Sequence, residues 1–285
     1  MAYARPSFDS PLPTYIRGGE MIPRLYTPQA LAPGAVIELD AASAHHAIRV
    51  LRLGPGAPVE LFDGDGLAAG AIITATKPAS ARIEQLHPAR SPSSTPALQV
   101  TLVQCISAAE KMDWTIEKAV ELGISAIVPV QSQKAIVKLT AERSVKRREH
   151  WQRLILAACA QCGQNRVPRL EEVGRLNDWL GAPPASPRKV LPLMLDPRAS
   201  SSLPAILMQH AAAAAADKLA SPGEPSRIYD VWLLCGPESG FSDEELSRAA
   251  NQGWVAASLG PRVLRTETAG LAALAILQAC WGDLG

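Results

Sequence analysis

No apolar run in this chain approaches the roughly 18 residues that a membrane-spanning helix needs. Residues 1–20 contain Pro6, Pro11 and Pro13 but lack the apolar core of a secretory signal. We read them as a flexible extension ahead of the folded part. Cysteine is scarce. The five present (Cys105, Cys159, Cys162, Cys235, Cys280) are scattered and odd in number. That argues against a disulfide framework and fits a reducing, cytoplasmic setting. Cys159 and Cys162 form a C-x-x-C with no second pair and no nearby His pair, so small buried thiols on a helix are expected rather than a metal site. Charge of one sign is also missing: 28 Lys and Arg against 27 Asp and Glu leave a formal net charge of +1. A generally basic nucleic-acid coat is thereby excluded, but a local patch is not. Internal repeats are not apparent.

The chain has 285 residues, 47% of them apolar, enough for one large domain or two modest ones with a sizeable core. From Met21 to about Arg90 the pattern is of short strands, at 36–39, 58–62 and 70–74, separated by turns at Gly54-Pro-Gly56 and Asp63-Gly-Asp-Gly66. A short helix over 41–50 interrupts them, and the spacing suggests a small barrel. Ser91-Pro-Ser-Ser-Thr-Pro96 reads as a linker. After it the rhythm changes. A strand at 98–103, a helix over 108–122 closed by Gly123 and a strand at 124–130 make the strand–helix–strand unit of a parallel sheet. A long helix is expected over 142–161, buried strands at 190–195, 231–234 and 254–259, and an apolar last helix over 268–281. The stretch 200–227, with six consecutive alanines and Ser221-Pro-Gly-Glu-Pro-Ser226, reads as a surface insertion. Between Thr140 and Leu170 seven cations (Arg143, Lys146, Arg147, Arg148, Arg153, Arg166, Arg169) face only two carboxylates before Glu171. Such a cluster suits either phosphate contacts or a solvated helix face.

Two segments carry chemistry. In Leu233–Glu245 a strand leads through a glycine-containing loop into a helix, whose start is marked by the capping box Ser242/Glu245. The loop therefore lies at the carboxyl end of a parallel strand, where open α/β sheets bind ligands. It has neither a Walker lysine nor G-x-G-x-x-G, and it carries Glu238, so a ligand without phosphates suits it better than a polyphosphate. The second segment is Ser258-Leu-Gly-Pro-Arg-Val-Leu-Arg-Thr-Glu-Thr268. Gly260-Pro261 must turn, and Val263 and Leu264 are apolar in a loop, as the lining of a pocket would be. Glu267 favours the N-terminus of the last helix; Arg265 does not, which points Arg265 at a partner or substrate.

These loops resemble the cofactor loops of the SPOUT methyltransferases. The chain as a whole, from Met21 onward, resembles the RsmE-type family. Ile22–Tyr26, His46, Arg49–Gly56, Leu61–Gly64, Glu110–Met112, Glu117–Gly123 and Ala157–Pro168 carry the likeness together with both loops. The resemblance implies an α/β fold: a SPOUT-type parallel sheet with a C-terminal trefoil knot over 97–285, preceded by a PUA-like β-barrel that binds RNA over 21–92. It implies transfer of a methyl group from S-adenosyl-L-methionine to N3 of a uridine in 16S ribosomal RNA, with the RNA or the assembled 30S subunit as partner. It also implies a homodimer, with no metal. By position, Leu195, Gly236, Pro237, Glu238, Gly240, Leu259, Gly260, Arg262, Val263, Leu264, Arg265, Thr266 and Glu267 would hold the cofactor. Arg24, His46, Arg49, Arg52, Lys111 and Arg166 would contact RNA. Glu238 or Glu267 would serve as base, and Arg265 would stabilise the uridine anion. Ser239 stands where the family has glycine; a left-handed backbone there would be strained. The residues alone leave open a non-catalytic RNA-binding relative and a methyltransferase acting on another base.

Overall fold

The computed structural model describes residues 16–17, 20–87, 98–181, 189–220 and 229–284. Most of the expected N-terminal extension, the 91–96 linker and the Ser221–Ser226 part of the 200–227 insertion lie outside these residues. The chain divides into two compact units: 1–92 with 159–166, and 93–158 with 167–285.

In the first unit a two-stranded ribbon, β1 (Ile16–Arg17) with β2 (Glu20–Met21), precedes a five-stranded sheet. Its strands are β3 (Arg24–Tyr26), β4 (Val36–Glu38), β5 (Pro58–Phe62), β6 (Ala68–Thr76) and β7 (Ala79–His87), in the order β3-β5-β6-β7-β4. The β3–β5 pair is parallel and the others antiparallel. Alternation along the strands sends Leu25, Ile37, Val59, Leu61, Ile73 and Ile83 into one core. The helix expected at 41–50 is composite. α1 (Ala41–Ala44), capped by Asp40 Oδ1 on the Ser43 amide, passes into a π-turn at His45–Val50. Arg52 then takes a positive φ of 56°, which is uncommon for a side-chain-bearing residue.

The second unit is built on a parallel sheet. Its elements are β8 (Leu98–Cys105), α2 (Ala109–Glu121), β9 (Ala126–Gln131), α3 (Ala141–Cys162), β10 (Arg169–Leu170), β11 (Gly174–Arg175), α4 (Leu176–Gly181), β12 (Val190–Leu195), α5 (Leu203–Ala220), β13 (Tyr229–Cys235), α6 (Asp243–Asn251), β14 (Val255–Ala257) and α7 (Thr266–Trp281). The order is β10-β9-β8-β13-β12-β14, with β11 also on β9, and every pair is parallel. Helices against the sheet explain why β8 and β13 are nearly continuous apolar runs. α7 packs on α2, α5, β8 and β13.

Three sequence expectations need adjustment. The 200–227 stretch is not simply an insertion: α5 runs through the alanines, and Leu203, Ile206 and Leu207 are buried. An alanine run is an excellent helix former, and the low polarity belongs to a helix between two parallel strands. The last helix begins at Thr266, one half-turn before the expected start. β1, β2, β3, β7, β10, β11 and α4 were not anticipated.

Candidate active site

Three strand ends meet at the carboxyl edge of the parallel sheet. β12 ends in Leu195, β13 leads into Gly236–Phe241 and β14 into Ser258–Arg265. Together they enclose a cavity of about 450 Å³, within the usual range for small-molecule sites. Leu195, Gly236, Pro237, Glu238, Gly240, Leu259, Arg262, Val263, Leu264, Arg265 and Thr266 all line it. Of the expected cofactor residues, Gly260 and Glu267 do not. Gly260, at φ 97°, makes the turn of the second loop.

The loops are fastened to each other. Thr266 Oγ1 donates to the Gly236 carbonyl at 2.6 Å and accepts from Gln104 Nε2 at 3.1 Å. Gly236 leaves room for the Phe241 ring: a Cβ there would meet it at 2.9 Å and force it to shift. Lys111, from α2, lies 3.1 Å from Glu238 Oε1 and 3.6 Å from Glu267 Oε2. The first is a hydrogen-bonded ion pair; the second is too long to hydrogen-bond, and Glu267 Oε2 has no hydrogen-bond partner. One ammonium thus spans a carboxylate from each loop. Lys111, expected on RNA, holds this bridging position between the two carboxylates.

The other charges on the cavity are also largely matched. Asp196 accepts from Arg198 through both carboxylate oxygens, at 3.1 and 3.0 Å, and these bonds hold its pKa below the ordinary carboxylate value. Lys134 Nζ donates to the Phe241 carbonyl at 3.0 Å. Arg262 and Arg265 are exposed at the rim and have no intramolecular partner among the described residues. Val263, between them, is 81% exposed. Beneath the floor Cys235 is buried, and desolvation raises its thiol pKa to about 11. The lining is thus mainly backbone, aliphatic groups and paired charges, with two free arginines at the rim.

Ser239 is not strained. Among the described residues Arg52 is the only non-glycine with positive φ, and the left-handed position of this loop is Gly240, at φ 72°. The Ser239 hydroxyl donates to the Lys134 carbonyl at 2.6 Å. The capping box is present, and its Glu245 carboxylate also takes the Ser132 hydroxyl at 3.1 Å and the Gln133 amide at 2.8 Å. Gln104, Lys134, Asp196, Arg198 and Phe241 were missed by sequence reasoning. Gln104 alone left a signal, as a polar residue inside a buried strand.

The expected RNA contacts separate. His46, Arg49 and Arg52 are exposed on and just after the π-turn. Arg166 is exposed, with its guanidinium against Gly66. Arg24 is a correction. It is 7% exposed, ion-paired with the buried Glu60, and donates to Asn165 Oδ1 at 2.7 Å. Burial and pairing make it a strut of the first unit rather than an exposed cation.

Residues 94–278 match the family model of an RNA methyltransferase domain, and residues 39–85 that of an RNA methyltransferase PUA domain. A ribosomal RNA small subunit methyltransferase E of Buchnera aphidicola subsp. Schizaphis graminum is 30% identical over 263 residues, 92% of this chain and 98% of that protein. Its Bacillus subtilis counterpart is 26% identical over 252 residues, 88% of this chain and 93% of that one. A ribosomal RNA small subunit methyltransferase E from Neisseria gonorrhoeae, solved bound to S-adenosyl methionine, aligns with a TM-score of 0.75 at 32% identity, covering 93% of this chain and 100% of that one. A putative methyltransferase from Legionella pneumophila, in complex with the same cofactor, aligns at 0.77 and 34%, covering 92% and 99%. With one family model spanning most of the parallel-sheet unit and a nearly full-length relative at 30% identity, the chain belongs to the ribosomal RNA small subunit methyltransferase E family of RNA methyltransferases.

Proposed function

We propose that this protein methylates N3 of a uridine in 16S ribosomal RNA, as naked RNA or within the 30S subunit, using S-adenosyl-L-methionine. The observation that carries the reading is the cavity at the carboxyl edge, lined by both loops and the end of β12. The cofactor supplies an electrophilic methyl group. The chain's residues do the rest. Leu195, Leu259, Val263 and Leu264 give the cavity apolar walls, and the Gly236–Gly240 backbone offers polar groups at close range. Uridine N3 carries a proton that must leave before it attacks, so a base within hydrogen-bond reach is required. Glu238 lies on the cavity wall and is the better placed candidate; Glu267 sits behind, against Lys111. Arg265, unpaired at the rim, is positioned to stabilise the uridine anion. Holding N3 in line with the methyl group supplies much of the rate.

His46, Arg49 and Arg52 form the RNA contact of the PUA-like unit, joined by Arg166. Three further assignments rest on the family: a homodimer, a cytoplasmic location and a trefoil knot. For the location, no described helix is long and apolar enough to cross a membrane. For the knot, the chain reaches the sheet edge at β14 and then returns as α7 against β8 and β13. The test is calorimetric titration of the cofactor, followed by transfer of labelled methyl to small-subunit RNA and mapping of the modified nucleotide. One cofactor site per chain and one N3-methylated uridine are expected. Absence of cofactor binding would refute the proposal, and methylation of another base would move it to a different substrate.

A further inference from the structure

A second cleft opens at the same carboxyl edge, beyond β9 and β11. Its volume is about 590 Å³, and its lining is polar except for Leu139. Lys138 and Arg175 stand exposed in it, and neither has an intramolecular partner among the described residues. Of its two carboxylates, Glu245 is buried and taken up by Ser132, Gln133 and the α6 cap, while Asp178 is exposed. Arg248 is occupied by the Asn177 carbonyl at 3.3 Å and Glu244 at 3.5 Å. Two free cations against one free carboxylate favour an anion.

The cleft and the cofactor cavity share a wall. Gln133 and Glu245 face the cleft, while the adjacent Lys134 and Ser239 face the cavity. Hydrogen bonds cross-link the wall: Ser239 bonds Lys134, Lys134 bonds Phe241, Ser242 bonds Gln133 at 2.7 Å, and Glu245 takes two donors from 132–133. Between Lys134 and Lys138, Ile136 is 81% exposed. Cations beside an exposed apolar side chain match an unstacked nucleotide, whose phosphate and base face ask for different partners.

Building on the function proposed above, we infer that this cleft holds single-stranded RNA flanking the target uridine. Lys138 and Arg175 take its phosphodiesters while the target base enters the cofactor cavity across the shared wall. The site would fix strand register without reading sequence.

The test is binding of a small-subunit ribosomal RNA transcript to the full-length protein over a salt series. Lys138→Ala/Arg175→Ala removes two exposed cations and no packing, so the fold is expected to persist. Each lost phosphate contact with a single strand reduces the slope of log affinity against log salt by about 0.7, so the double variant should lose about 1.4. Affinity at 0.1 M salt should fall about 25-fold and approach the wild-type value near 1 M. Cofactor affinity should not move. Lys118→Ala, whose ammonium is already paired with Glu117 and Glu121, controls for loss of a cation outside the cleft and should keep the wild-type slope. An unchanged slope in the double variant, or an equal loss in the control, overturns the inference. If the wild type neither binds nor methylates the transcript, the proposed function itself fails; if it does both while the double variant is unchanged, only this cleft does.

Discussion

Replacing Lys111 with methionine keeps the aliphatic stem on α2 and deletes the charge that joins the two cofactor loops. At 3.1 Å a unit ion pair is worth about 1.3 kcal/mol in water and about 5 kcal/mol at an effective dielectric of 20. The side chains of Lys111, Glu238 and Glu267 are 33%, 30% and 15% accessible, so solvent screening places each pair near the lower figure, about 1 kcal/mol. Without Lys111, Glu238 and Glu267 also lose the cation between them. Part of the loop geometry survives, because Thr266 still bonds Gly236 and Ser239 still bonds Lys134. About 1 kcal/mol should therefore reach the cofactor site, a loss of roughly fivefold in affinity for S-adenosylmethionine. Calorimetric titration of the full-length variant measures it, and Lys111→Arg should recover most of the loss. Unchanged cofactor affinity would refute the bridging role. A loss confined to RNA affinity would instead return Lys111 to the phosphate-contact role its sequence position implied.

Arg24→Met removes the cation paired with the buried Glu60 carboxylate and should destabilise the protein by several kcal/mol in chemical denaturation; a stable variant that loses RNA affinity would show that Arg24 does reach RNA. Ser239→Gly deletes one hydrogen bond and relieves no strain, so stability should fall by about 0.5–1.5 kcal/mol; a more stable variant would refute the assigned backbone. Cys280 is exposed while Cys105, Cys159 and Cys235 are buried, so a thiol reagent at pH 8 should modify Cys280 first and those three only on unfolding. Burial raises Cys235 to about 11 and Cys159 to about 12 from an ordinary 9.0. Above pH 9 the unfolded chain sheds protons that the folded one keeps, so stability should decline as pH rises from 9 towards 12. A melting temperature flat across that window would contradict the two burials.

The parallel sheet was legible because its strands are long apolar runs broken by glycine turns, and the cavity loops because apolar residues and a glycine-proline turn coincide after a strand. What stayed hidden has a common physical cause. Lys111 and Lys134 lie far in sequence from the loops they brace, and nothing in their own neighbourhoods reveals those contacts; Gln104, equally distant, left only its polarity inside a buried strand. Arg24 failed in the opposite direction: the family resemblance marked it as an RNA contact, and only its pairing with Glu60 and Asn165 reveals burial. The alanine run in α5 misled through composition, since low complexity serves a helix as readily as a surface insertion. Ser239 looked strained only while the left-handed residue of the loop was placed one position early.

The strand order carries a consequence for how the chain acquires its shape. β13 lies between β8 and β12, and its pairing with β8 joins Leu98 to Tyr229 and Gln104 to Cys235. Closing so long a loop is entropically expensive and slows folding. During synthesis β8, α2 and β9 emerge first and can pair with one another, but the middle of the sheet waits for a strand made much later. Every wall of the cofactor cavity except Lys134 comes from residue 195 onward. The proposed methyl-donor site is therefore absent until the chain has been made through Thr266, and a product truncated before Thr266 would lack both the residue that ties the two loops together and the helix that packs on β8 and β13.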